Sequence, residues 1–198
     1  MEFQDVVRRR RMVRNFEERA VPNETLERIL DNALHAPSAG FSQGWAFLVL
    51  QGDDKKRFHD VTFADRVDFR FDGTFKAPVL IVCLSHKDAY LDRYSEADKG
   101  WTDRDEARWP APYWDIDTGF AALLMLLTSV DAGLGAVFFG INPGRIQDFR
   151  DEFGVPDAYA PIGAIALGYP APDSPSPSLK RGRRPAEEVV HRGRWQGR

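Results

Sequence analysis

The stretch HAPSAGFSQGWAFLVL, residues 35–50, carries the spacing G-x-S-x-G at Gly40-Phe41-Ser42-Gln43-Gly44. In serine hydrolases that spacing marks a nucleophile on a sharp turn from a strand into a helix. The flanks here run the other way. Upstream, VPNETLERILDNALHAP places Leu26, Ile29, Leu30, Ala33 and Leu34 on one stripe of a helix, with Asn23 as its N-cap and Pro37 as its stop. Downstream, WAFLVLQ (45–51) reads as a strand. Ser42 therefore lies in a helix-to-strand loop. A triad would also need a late histidine, and the only one, His191, sits in a basic tail. A serine hydrolase using Ser42 is the weaker reading.

Outward from this loop, the chain alternates helices and strands. A short amphipathic helix holds Phe3, Val6, Val7 and Arg10, and residues 53–67 read as another helix. APVLIVCLS (77–85) is a continuous apolar strand, expected to be covered on both faces. Residues 115–135 form a helix, capped by Asp115 or Asp117 and ended by Gly133. It is apolar almost all round, so burial on every side is expected, within the domain or against a second subunit. AVFFG (136–140), a helix over 142–154 and a strand over 160–169 follow. The pattern predicts one layered domain over 1–198 with a mixed sheet.

Two segments stand outside the alternation. Residues 86–114 are polar and carry Tyr90, Tyr94, Trp101, Trp109, Tyr113 and Trp114. They form either a lid over a pocket or an insertion that uses its aromatics as a small core. Residues 170–198 begin with four prolines within 170–177 and read as an extended C-terminal arm.

Composition narrows the partners. A net charge of −3 points to neither nucleic acid nor a membrane surface. The longest apolar run, Phe120 to Leu127, is eight residues, against roughly 18 for a span. With no secretory leader in the opening residues, a cytoplasmic location is expected. The single cysteine, Cys83, lies in an apolar strand, and the four histidines have no metal-ligand spacing, so no metal site is expected. Charge is uneven, however. Residues 8–19 hold six arginines against two glutamates, and residues 180–198 hold seven basic residues against two glutamates. Either an anion is gripped where the ends converge, or both ends are solvated tails, which would also suit a non-catalytic polyanion-binding module.

Taken together, four motifs resemble one family. Arg10-Arg11-Met12-Val13-Arg14-Asn15-Phe16 resembles an R-R-S-x-R-x-F signature. Ala36 to Phe47 is similar to A-P-S-x-x-N-x-Q-P-W-x-F. Gly133-Leu134-Gly135 precedes a strand, and the end resembles ALGYP…RRP…EEVVH…W at 166–170, 183–185, 187–191 and 195. These are motifs of the FMN-dependent nitroreductase-like flavoproteins, and they span nearly the whole chain in order. Three positions depart: Met12 replaces a serine, Phe41 an asparagine and Gly44 a proline.

The resemblance implies an α+β fold, a layered sandwich with a mixed central sheet flanked by helices, in a homodimer with exchanged C-terminal arms and two FMN sites at the subunit interface. It implies electron transfer from NAD(P)H through the flavin to an electron-poor small molecule such as a nitroaromatic or quinone. The chemistry would lie on flavin N5, with no catalytic side chain. Arg10, Arg11, Met12, Arg14, Arg181 and Arg183 would hold the phosphate end. Pro37, Ser38, Ala39 and Gln43 would line the ring from the other subunit, with the backbone at Phe139 and Gly140 near N5. Phe41, Tyr113 and Trp114 would line the substrate pocket. The departures and the aromatic excursion also suit a specialised enzyme of the same fold: flavin-fragmenting, dehalogenating or deazaflavin-dependent.

Overall fold

A computed structural model describes residues 1–63, 72–174 and 176–195. Its centre is a four-stranded sheet in the order β1-β2-β4-β3, formed by β1 (Trp45–Gln51), β2 (Val79–His86), β3 (Gly135–Phe139) and β4 (Tyr159–Gly168). All three ladders are antiparallel. This corrects the mixed sheet expected from the sequence, since the one parallel pairing among the described residues is an isolated bridge between Met12 and Ala136. The alternation misleads because a helix joining two strands usually marks a parallel crossover. Here α3 (Asp53–Phe63) and the short α4 (Asp72–Phe75) lie between β1 and an antiparallel neighbour, and α7 (Ile146–Phe153) lies likewise between β3 and β4.

β2 explains its own composition. Its side chains alternate between faces. Val79, Ile81 and Cys83 pack under α2 (Asn23–Leu34) and α6 (Tyr113–Asp131), with Leu26, Ile29, Ala33, Ala121 and Met125. Leu80, Val82 and Leu84 pack under α3 and α7, with Phe58, Phe63 and Phe149. Both faces are covered, and each fully buried aliphatic side chain contributes about 1.5–3 kcal/mol of transfer free energy. Burial also pushes the Cys83 thiol up to about 12, leaving it an inert hydrophobe.

The helix ends differ from the sequence expectation in detail. Asn23 is the first residue of α2, and Pro22 occupies the cap position with no side-chain cap. Asp115 and Asp117 lie inside α6, whose cap position is Pro112. Proline suits a helix start because it fixes φ and lacks the N–H that would be orphaned there. Gly133 does end α6. It takes φ 74°, and Leu134 N–H donates back to the Ser129 carbonyl at 2.8 Å. α3 ends at Phe63 within the described residues, and the rest of the expected 53–67 helix lies outside them.

Burial of α6 on every side does not hold in the single chain. Ala121, Ala122 and Met125 are buried, but Phe120 is 44% and Leu123 45% exposed. With Tyr113 and Ile116, they form an outward apolar stripe at spacings of three and four. The short α1 (Phe3–Arg9) packs beside α6.

Candidate cofactor site

Beyond α1 the arginine-rich segment runs along the outer edge of β3. Met12 bridges Ala136, and Val13 N–H donates to the Ala136 carbonyl at 3.0 Å. Gly135 permits this approach, because a Cβ there would lie 2.8 Å from Val13 Cγ2. Arg10 and Arg14 are half-buried, whereas Arg11 is exposed. Arg14 Nη1 donates to the Met12 carbonyl at 3.1 Å. Arg10 Nη1 is buried and has no hydrogen-bond acceptor among the described residues. A buried guanidinium donor without an acceptor is costly, and an anion would supply one.

The start of the C-terminal arm is zipped to this segment. Glu17 N–H donates to the Tyr169 carbonyl at 2.9 Å, and Ala171 N–H to that of Asn15 at 3.0 Å. Asn15 Nδ2 reaches the Pro172 carbonyl at 2.7 Å, and Arg14 N–H reaches Asp173 Oδ2 at 2.8 Å. The two ends of the chain therefore do meet, at residues 12–17 and 169–173. The arm's arginines do not join them. Arg181 and Arg183 are exposed, and no hydrogen bond or ion pair among the described residues links either to Arg10, Arg11 or Arg14.

The 36–44 loop is tightly made. Ser38 Oγ accepts from Gln43 N–H at 3.0 Å, and a single helical turn covers Ala39–Phe41. Gly40, Phe41 and Gln43 take φ of 61°, 57° and 50°. For the two that are not glycine, the left-handed region costs about 1–3 kcal/mol each, so the surroundings must hold them. Phe41 projects outward, 74% exposed. Ser42 Oγ donates to the Ala39 carbonyl at 2.7 Å, and no hydrogen bond of the described residues joins it to a histidine. This geometry gives Ser42 no base. Ser42→Ala is expected to leave flavin content and reductase turnover within a few-fold of the parent. Covalent labelling of Ser42 by a fluorophosphonate would contradict that.

Residues 86–114 dock on this loop. α5 (Lys87–Ser95) sends Arg93 Nε to the Gly40 carbonyl at 2.9 Å, while the Arg93 guanidinium is held by Asp98 at 2.7 and 2.8 Å. Tyr94 lies so close to Gly40 that a Cβ there would sit 2.7 Å from its ring. The aromatics cluster on one another, with Trp109 centred 4.6 Å from Tyr94 and 5.5 Å from Trp101. Trp114 is buried edge-on against Tyr90 and Trp109, whereas Phe41 and Tyr113 are exposed, so of the three residues expected to line a pocket Trp114 packs inside the aromatic cluster.

Two residues that the sequence reading gave other roles support the loop. Asp117, 3% exposed, accepts at Oδ2 from Ala39 N–H at 2.8 Å and from Tyr90 Oη at 2.9 Å. Burial, reinforced by this carboxylate, raises the Tyr90 phenol far above the ordinary tyrosine range, so it stays a neutral donor. A carboxylate inside an otherwise apolar helix was the signal in the sequence, because a buried charge demands donors.

The sheet separates the candidate residues into two groups. Phe139 and Gly140, at the end of β3, share an edge strand with the arginine segment; the Phe139 side chain turns into the core, leaving its backbone for the edge. Residues 37–43 enter β1, the opposite edge. Four inter-strand steps separate Met12 from Trp45, about 19 Å across, and their pairing levels differ by about 20 Å along the strands. One chain thus holds the two groups of candidate residues on opposite edges of its sheet. Among the described residues, no group of three or more His, Cys, Asp or Glu side chains could hold a metal ion. No helix there is long and apolar enough to cross a membrane.

Comparison with known proteins shows which family the chain resembles. The model of the nitroreductase family matches residues 7–67 and 58–169. An NADH dehydrogenase of Thermus thermophilus is 32% identical over 204 residues, covering 92% of this chain and 91% of its own. A Methanothermobacter thermautotrophicus protein named NADH dehydrogenase/NAD(P)H nitroreductase is 29% identical over 176 residues, covering 86% and 78%. Among solved structures, a Desulfovibrio desulfuricans protein assigned as a nitroreductase, in complex with FMN, superposes with a TM-score of 0.72 at 24% identity, covering 99% of each chain.

Proposed function

The chain belongs to the nitroreductase family and is an oxidoreductase, and from that premise we propose that it uses FMN to pass electrons from NAD(P)H to an electron-poor small molecule such as a nitroaromatic or quinone. The observation that carries the cofactor assignment is Arg10 Nη1, a buried guanidinium donor with no acceptor among the described residues, followed by Arg11 and Arg14 on the segment that runs along the edge of β3. A phosphate monoester supplies the missing acceptor and the opposite charge. The relative solved with FMN supports the same choice.

Arg10 and Arg14 hold the phosphate, with Arg11 at the rim. The Phe139–Gly140 backbone lies further along the same edge, toward the ring. Pro37, Ser38, Ala39 and Gln43 cover the ring from a second copy of the chain, because a single sheet keeps them far from the arginines. FMN, when bound, supplies hydride acceptance from the reduced nicotinamide and onward electron delivery. The protein's part is to bind, orient and exclude water; no side chain acts as acid or base. Phe41 and Tyr113 offer exposed aromatic faces for a planar acceptor.

The dimer brings the half-sites together through the outward face of α6, Tyr113, Ile116, Phe120 and Leu123. The arm exchange carries Arg181 and Arg183 to the partner's phosphate site. In the single chain Leu179, Val189, Val190 and Trp195 of that arm are exposed, as a segment awaiting a partner surface would be. Dialysed protein is expected to take up FMN stoichiometrically and then oxidise NADH or NADPH with a nitroaromatic or quinone acceptor. Folded protein that binds no flavin in a fluorescence titration would overturn the assignment.

A further inference from the structure

We propose that Tyr90 and Asp117 are positioning residues for this reaction, clasping both ends of the 39–44 loop and so setting the surface it offers to the flavin. The inference rests on the assignment of that loop to the ring. Asp117 Oδ2 receives the Ala39 N–H at 2.8 Å and the Tyr90 hydroxyl at 2.9 Å. The Gly44 backbone packs directly against the ring of the same tyrosine, edge to Cε2 and Cδ2. One phenol and one carboxylate thereby link the first and last residues of the loop.

Gly44 is required for this closure. A Cβ at that position would sit 2.5 Å from Tyr90 Cε2 and 2.7 Å from the His86 carbonyl oxygen. A proline there would add that clash and remove the N–H as well. Between the tied ends, Gly40, Phe41 and Gln43 all take positive φ, a run that relaxes unless both ends are fixed.

Packing alone does not account for the pair. Tyr90 is fully buried and Asp117 nearly so, and no ion pair among the described residues reaches Asp117. An apolar pair would join α5 to α6 at lower desolvation cost. What it would lack is an acceptor for the Ala39 amide. The carboxylate's contribution is thus to the shape of the loop.

Tyr90→Phe deletes only the hydroxyl and keeps the ring packing. In flavin-free protein, exchange of the 39–44 amides is expected to speed up, by about tenfold or more, against unchanged exchange in β2. FMN affinity is expected to fall by about tenfold or more, with an altered visible circular dichroism band of the bound flavin. Asp117→Asn keeps an acceptor oxygen and should retain most of both properties, whereas Asp117→Ala should not; thermal melts verify that each variant folds. Unchanged loop exchange in Tyr90→Phe overturns the clasp and leaves the flavin assignment standing. Faster exchange with parental FMN affinity and dichroism overturns the positioning role and removes the loop from the ring. Parent protein that takes up no FMN defeats the functional reading, and the proposal with it.

Discussion

Alanine at Arg10 or Arg14 is expected to give folded protein that has lost most of its affinity for FMN. Both side chains are half-buried on the segment pinned to β3 by the Met12–Ala136 bridge, so they need little ordering when an anion arrives. A hydrogen bond to a charged group contributes about 1.5–3 kcal/mol, or about 10- to 150-fold in affinity for each residue. The double variant should lose about 10²- to 10⁴-fold, without strict additivity, because both act on one phosphate. Arg11→Ala, at an exposed position, should lose less. Arg183→Ala tests the arm: it lies apart from Arg10 and Arg14 in its own chain, so a large effect would require the arm to reach the partner's site. Fluorescence-quenching titrations give all of these affinities. Parental binding by both Arg10→Ala and Arg14→Ala would reduce the arginine segment to a solvated edge.

Phe120→Glu is expected to dissociate the assembly and release the flavin together. Phe120 lies mid-stripe on α6, and a carboxylate there would be buried without a partner when two copies close. A penalty of about 4 kcal/mol would raise the dimer dissociation constant about a thousandfold. Because the arginine segment and the 37–43 loop lie on opposite edges of one sheet, a monomer should retain its arginines but lack the partner's loop that the proposal places over the ring. Sedimentation velocity, followed both at the protein band and at the flavin band, reads assembly and loading in one experiment. A folded monomer that keeps its flavin would overturn the shared-site arrangement.

Much of this was legible because it depends on local chemistry. The stripe Leu26, Ile29, Ala33 gives α2; Gly133 ends α6; the unbroken run of β2 demands two covered faces; and the helix-to-strand order around Ser42 rules out a nucleophile elbow. The arginine segment and the Pro37–Gln43 loop were also visible, as charge and as motif. Strand direction was not. Residues 53–78 fit a parallel crossover or an antiparallel return equally well, since pairing direction is set by how the connecting helix packs back on the sheet.

The roles of Asp117 and Tyr90 lay beyond the sequence for a similar reason. Asp117 reads as a helix cap near the start of α6, and Tyr90 as one aromatic of an excursion. Only the packing of α5 against α6 brings both to Ala39, some 50 and 80 residues earlier. By itself the sequence determined most of the helices and strands outside the 86–114 excursion, which of their faces are apolar, and that charge gathers at both ends, because periodicity and composition act over a few neighbouring residues. Only the tertiary structure decided that the arginines and the 37–43 loop stand on opposite edges, that the arm's first residues rather than its arginines meet the N-terminal segment, and that a buried carboxylate ties the loop. Those relations depend on strand order and on hydrogen bonds between residues distant in the chain, which no local pattern encodes.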